Sequence, residues 1–306
     1  MTNKDTNSQS GLKSTWTDSL SKNQKPDGKA LLAHLRTVHK HHTGFTETCA
    51  STCRDETGRN SYEWLAEIVP DIDGIRVLDL ACGSGPLLKI LYDRNKNLKL
   101  KGVDMCPEEL AIAKGRLPEG AVDLFELKAQ NLTAINDNSI DVVLCHWALT
   151  LMNPITPVLN EIRRVLSPGG RFAALVNGPM NAAPGYSDVH NLIYRYVQAK
   201  LPKYGEIDLG DPRIRSTNNL KHLLSEIFPD AKVNIETSLV TMEGRVAEVA
   251  ETAAGFFYAS FILPSETRKI MLSKLSKLLM ISKQNRNFER QGRFVMPINR
   301  LVITKR

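Results

Sequence analysis

The sequence predicts an α/β protein with a mostly parallel sheet, and two stretches carry that reading. Residues 77–85 read V-L-D-L-A-C-G-S-G: an apolar strand, an acid at Asp79, and a turn with Gly83 and Gly85 just ahead of a helical stretch. Residues 141–148 place apolar residues behind an acid, after the turn-forming Asn136-Asp137-Asn138-Ser139, and read as another parallel strand. A strand that ends in a glycine-rich turn opening a helix brings bare backbone and helix N-terminal amides up to a ligand. A nucleotide-like cofactor is the expected occupant.

In chain order, the start is polar, rich in Ser, Thr, Asn and Lys, and has no apolar h-region. It reads as a disordered tail over residues 1–28 and not as a secretory signal. Helical periodicity follows over 30–45 and 61–68. After the glycine turn, residues 98–103 alternate as a short strand that delivers Asp104 about 20 residues past the turn, where a carboxylate accepts ribose hydroxyls. Ile155, Val158, Leu159, Ile162, Val165 and Leu166 repeat at helical spacing. Ser167-Pro168-Gly169-Gly170 stops that helix with a turn, and residues 171–176 make the next strand. Beyond the break at Asn177-Gly178-Pro179, helices are expected over 189–201 and 216–228, the second capped by Ser216 or Thr217. Strands are expected over 232–240 and 292–304, with a helical stretch from 244 to about 281 between them.

The glycine turn separates two classes of cofactor. A dinucleotide site uses G-x-G-x-x-G, whereas Gly83-Ser84-Gly85 is followed by Pro86, Leu87 and Leu88, so the third glycine is missing. Asp79 would repel a pyrophosphate but suits a cofactor that carries an amino group and a sulfonium. The stretch resembles motif I of the class I S-adenosylmethionine (SAM) methyltransferases. Asp104, Gln130-Asn131-Leu132, the strand ending at Cys145-His146-Trp147-Ala148 and the string E-I-R-R-V-L-S-P-G-G-R-F follow in the order that family uses.

The resemblance implies a Rossmann-like class I methyltransferase fold: a seven-stranded, mostly parallel sheet with an antiparallel last strand, plus a helical lid. It implies S-adenosyl-L-methionine as cofactor. On the matching positions, Asp79, Ala81, Gly83 and Gly85 would cradle it, Asp104 would bind the ribose, and Met105 would lie on the adenine. Asn131 and Leu132 would hold the adenine edge, and His146 would end the strand that faces the methyl group. The implied organisation is helices over the cofactor site at 29–70, a SAM-binding core at 71–180, and a lid segment at 181–215. A core helix and strand at 216–243, a helical lid insertion at 244–286 and the last core strand at 287–306 complete it.

An enclosing lid suits a small acceptor kept away from water. The expected function is SAM-dependent methylation of a small molecule in specialised metabolism, with carbon methylation of a prenyl diphosphate as one member of the set and O- or N-methylation as the others. His146 is the candidate base because an ordinary imidazole titrates near neutrality. Its alternative role is a hydrogen bond that orients the cofactor. His190 and Tyr194, at i and i+4 on one helix, are candidates for acceptor contact or base. Trp147 is a candidate substrate contact, and Arg213, with Arg215 near it, is a candidate grip on an anionic acceptor. An RNA methyltransferase and a noncatalytic SAM-binding partner protein are the alternatives.

Composition sets limits. With 306 residues, 42% of them hydrophobic, the chain can build a sizeable core. No run of 18 apolar residues marks a membrane span, and five cysteines without paired spacing suit a reduced compartment, so a cytoplasmic enzyme is expected. Cys49 and Cys53, with His39, His41 and His42 upstream, fit structural zinc poorly, and no metal is expected. Net charge is +7, yet residues 265–306 hold eleven Lys and Arg against Glu266 and Glu289. The patch reads as a solvated helix face, an anionic-substrate site, a nucleic-acid site or a membrane surface. No nucleic acid is the expected partner, because the basic stretch lacks interleaved aromatics.

Overall fold

The computed structural model describes residues 11–205, 209–284 and 290–306. The chain opens with α1 (Thr15–Ser21), α2 (Gly28–His41), α3 (Phe45–Thr52) and α4 (Ser61–Ala66). Alternation begins with β1 (Arg76–Leu80), α5 (Pro86–Arg94), β2 (Lys99–Asp104), α6 (Pro107–Arg116), β3 (Val122–Glu126) and β4 (Ile140–His146). Then come α7 (Ile155–Val165), β5 (Leu166–Asn177), α8 (Tyr186–Gln198), α9 (Thr217–Ile227) and β6 (Lys232–Arg245). The remainder is α10 (Val246–Gly255), α11 (Ser265–Leu279), β7 (Met280–Gln284) and β8 (Arg290–Thr304).

The chain divides into two compact units. The unit made of residues 57–179, 208–238 and 298–306 holds β1 to β5, the first half of β6 and the end of β8, and the strand order is β3-β2-β1-β4-β5-β8-β6. Neighbours from β3 to β5 run parallel, and β8 runs antiparallel to β5. This path of seven strands with the last one reversed is the expected sheet, and β7, paired with β8, adds an eighth strand among the described residues that the expectation lacked. Val77, Leu78 and Leu80 of β1 are all fully buried, as a central parallel strand covered on both faces requires. α7 lays Ile155, Val158, Leu159, Ile162 and Val165 into the core on one stripe, and α9 adds Leu220, Leu223 and Leu224. At the start of the sheet Arg76 grips Asp141 with its side chain and its backbone N–H, which holds the Asp141 carboxyl down at about 2.

The other unit comprises 1–56, 180–207 and 239–297 and is mainly helical. α10 packs against α11 and α3, α8 packs against α11, and β7 pairs antiparallel with the first part of β8. Gly255 is where α10 meets α3: a Cβ there would stand 2.3 Å from Cys49 Sγ.

Four expectations are corrected. The tail expected to stay disordered to residue 28 contains α1, because Ser14 closes a capping box and Trp16 and Leu20, one turn apart, are both 1% exposed. Two large apolar anchors outweigh a polar average; residues 1–10 lie outside the described residues. β3 is an unforeseen edge strand, whose mixed burial leaves little apolar signal. β5 begins at Leu166, already paired with Ile140, so Ser167–Gly170 is a bulge inside a strand and Gly169 takes φ +75 there. The helical stretch expected to about 281 ends at Leu279, where the chain turns into β7.

Candidate functional site

β2, β1 and β4 are adjacent parallel strands, and the strand order reverses between β1 and β4. The carboxyl edge at such a reversal is where open α/β sheets bind ligands. β1 ends at Leu80, and the next residues are bent sharply: Ala81, Gly83 and Gly85 have φ +59, +52 and +78. The Gly85 N–H closes the turn on the Cys82 carbonyl at 3.0 Å, and Pro86 opens α5. A Cβ on Gly85 would sit 3.0 Å from Ala113 Cβ, so this glycine is needed for packing. A Cβ on Gly83 would meet only Glu109 Oε2 at 4.0 Å, so this glycine presents bare backbone to open space.

The turn is tied to the end of β2 through Asp104. Gly83 N–H donates to Asp104 Oδ2 at 2.9 Å, and Cys106 N–H donates to Oδ1 at 2.8 Å. A carboxylate offers more acceptor sites than two amides use. Met105 follows, half-buried, in a bend. Asp79 differs: it is 1% exposed, and neither carboxylate oxygen has a hydrogen-bond partner among the described residues. Burial first, then the charge of Asp104, pushes its carboxyl up to about 8. A buried acid without a counter-charge is costly, and a ligand that brings a cation within reach relieves it.

β4 delivers His146 and Trp147 to the same edge. His146 Nε2 lies 2.9 Å from Ser61 Oγ, and the ring stacks on Tyr62 with centroids 3.7 Å apart. Burial drives the imidazole down to about 3. That burial disfavours the charged imidazole, which favours the hydrogen-bonding role over that of a base. Trp147 is 8% exposed, packs edge-on to His146, and takes φ +56, an outlier for a bulky residue. Ser61 and Tyr62 escaped sequence reasoning. Their helix α4 packs on β4 and β5, and only that packing brings them to a histidine 85 positions away.

Local contacts engage the other expected site residues. The Leu132 N–H, expected to hold an adenine edge, donates to Glu161 Oε2 at 2.6 Å, and Glu161 is itself gripped by Arg164. That amide is already used in joining the loop to α7, which leaves exposed Asn131 as the other half of the expectation. Arg213, expected to grip an anion, instead makes a two-point pair with Asp211, from Nε at 3.0 Å and Nη2 at 2.8 Å. Asp211 also caps the turn carrying Arg213, so the guanidinium is occupied by local structure. His190 and Tyr194 stack on each other at 4.0 Å on α8, which belongs to the other unit. Cys145 is fully buried, and burial pushes its thiol up to about 12.

Residues 78–174 match the family model described as a methyltransferase domain. The chain is 30% identical over 172 residues to the mitochondrial 2-methoxy-6-polyprenyl-1,4-benzoquinol methylase of Schizosaccharomyces pombe, covering 52% of this chain and 53% of that one. It is 31% identical over 138 residues to the demethylmenaquinone methyltransferase of Thermus thermophilus, covering 44% and 60%. The chain thus spans little more than half the length of these curated relatives. Among solved structures, the [4+2]-cyclase SpnF superposes with a TM-score of 0.56 at 17% identity, covering 92% of this chain and 97% of that one. At that identity the likeness is one of fold.

Proposed function

We propose that this chain, whose residues 78–174 match a methyltransferase-domain family model, transfers the methyl group of SAM to a small-molecule acceptor. Asp79 is the observation that carries the reading. Its two unpartnered, buried oxygens fit a cofactor that carries an ammonium and a sulfonium, and Gly83 leaves the backbone bare beside them. Asp79 and the turn from Ala81 to Gly85 would hold the amino-acid end, and Asp104, already fixed by two amides, would hold the ribose. Met105 and Asn131 would border the base.

When bound, SAM supplies an activated methyl on a leaving group that departs as a neutral thioether, so the chain has no leaving group to protonate. Its residues contribute position and exclusion of water. His146 is a neutral hydrogen-bonding group whose ring is fixed by Ser61 and Tyr62, and it orients what binds above β4.

For the acceptor, we favour an amphiphilic hydroxyarene of the quinol type over a prenyl diphosphate. The two curated relatives are named for quinol and menaquinone methylation. Arg213, the candidate grip on an anionic acceptor, is taken by Asp211. The test is calorimetric titration with S-adenosylhomocysteine (SAH), wild type beside Asp104→Ala, with NADH as control. Assays with SAM then compare hydroquinones, phenols, amines, prenyl diphosphates and RNA by mass spectrometry. SAH binding lost in the variant, followed by methylation of a hydroquinone, is the expected result. Binding of NADH instead of SAH overturns the cofactor, and SAH binding with methylation of RNA overturns the acceptor.

A further inference from the structure

α11 turns Met271, Leu275 and Leu279 inward, as a core helix should. Its outer face is unusual. Ile270 is 54% exposed, Leu278 41%, and Met280, just past the helix, 44%. These are three of the seven large hydrophobic side chains exposed among the described residues, gathered within a few turns. Interleaved with them are Lys269, Lys274 and Lys277, all exposed; Ile270, Lys274, Lys277 and Leu278 fall on one side at helical spacing. α11 carries four basic residues against one acid, Glu266. Arg268 is engaged with Glu251, and Lys269 with Glu266, which leaves Lys274 and Lys277 at the centre of the face.

Mixed Lys and aliphatic side chains on one exposed face select among partners. A protein partner favours a patch whose centre is depleted in lysine. A nucleic acid is read by cations with aromatic platforms, and this face has no aromatic residue. A bilayer surface takes both kinds of side chain, with aliphatic groups entering the acyl boundary while lysine stems lie along it and their ammonium groups meet anionic headgroups. We propose that the outer face of α11, continued by Met280, docks on an anionic lipid bilayer. The face binds the surface of the membrane and does not cross it: no described helix is long and apolar enough to span one.

The full chain should sediment with vesicles of phosphatidylcholine and phosphatidylglycerol at low salt, should release from them at high salt, and should ignore vesicles of phosphatidylcholine alone. Lys274→Glu with Lys277→Glu should weaken partitioning by about tenfold or more. Ile270→Ser with Leu278→Ser should also weaken it and leave the remainder more easily released by salt. All four side chains are exposed, so thermal melting should show both variants folded. Absence of binding, equal binding to neutral vesicles, variants that bind as the parent does, or capture of an RNA oligonucleotide without vesicles would each overturn the proposal.

Discussion

At Asp79, stability and ligand binding pull in opposite directions. Its carboxyl lies at about 8, against an ordinary 3.8, because it is buried and faces the charge of Asp104. Between those values the folded chain keeps a proton that the unfolded chain has lost, so this group lowers stability as pH rises from about 4 to about 8. Asp79→Asn should therefore raise the melting temperature of the ligand-free protein at neutral pH by several degrees, flatten that pH dependence, and weaken SAH binding. A melting temperature that falls at pH 7 would contradict the buried, unpartnered carboxyl. A ligand ammonium placed against the carboxylate reverses the proton balance: below pH 8 SAH, which keeps the amino group though not the sulfonium, should displace a proton from Asp79, seen as a titration enthalpy that changes with the buffer's ionisation enthalpy. Ser61 makes a second residue-scale case. Ser61→Ala leaves His146 Nε2 buried without this partner and should cost about 1–3 kcal/mol in urea denaturation. His146 itself was visible in the sequence as a strand-end residue, but the lowering of its imidazole by burial was not, because burial comes from every element packed around it.

Among the elements, the β1–α5 junction is the most constrained. Gly85 has φ +78 and would place a Cβ 3.0 Å from Ala113, whereas Gly120 has φ +74 with nothing within 4 Å of a Cβ. Gly85→Ala should destabilise by about 1–3 kcal/mol, and Gly120→Ala, which carries the left-handed strain without the contact, should cost less. Equal losses in chemical denaturation would mean that α6 gives way and packing imposes nothing. The elements most legible in the sequence are those with a strong local pattern, such as α7 with its apolar stripe and α9 with Ser216 as its cap. β3 was invisible for the opposite reason: its residues are mostly half-buried or exposed, and its place at the sheet edge comes from pairing with β2. α1 was missed because composition averages away two well-placed anchors, Trp16 and Leu20.

For the whole molecule, the expected cofactor site from Asp79 to His146 falls within the unit that holds β1 to β5, and the unit with α8, α10 and α11 carries the basic outer face. SAH at about a hundred times its dissociation constant should stabilise the chain by about 2.7 kcal/mol, and Asp104→Ala should abolish that gain in thermal melting. The sequence by itself determined the parallel core of the sheet, the glycine turn and the place of Asp104, because each depends on neighbouring residues whose periodicity and backbone freedom are local properties. Only the tertiary structure decided which of those residues remain available for chemistry. It left Asp79 without a partner, joined Ser61 to His146, and committed the Leu132 amide to Glu161 and Arg213 to Asp211. Desolvation and hydrogen-bond pairing depend on what surrounds a group in space, and spacing along the chain does not record it.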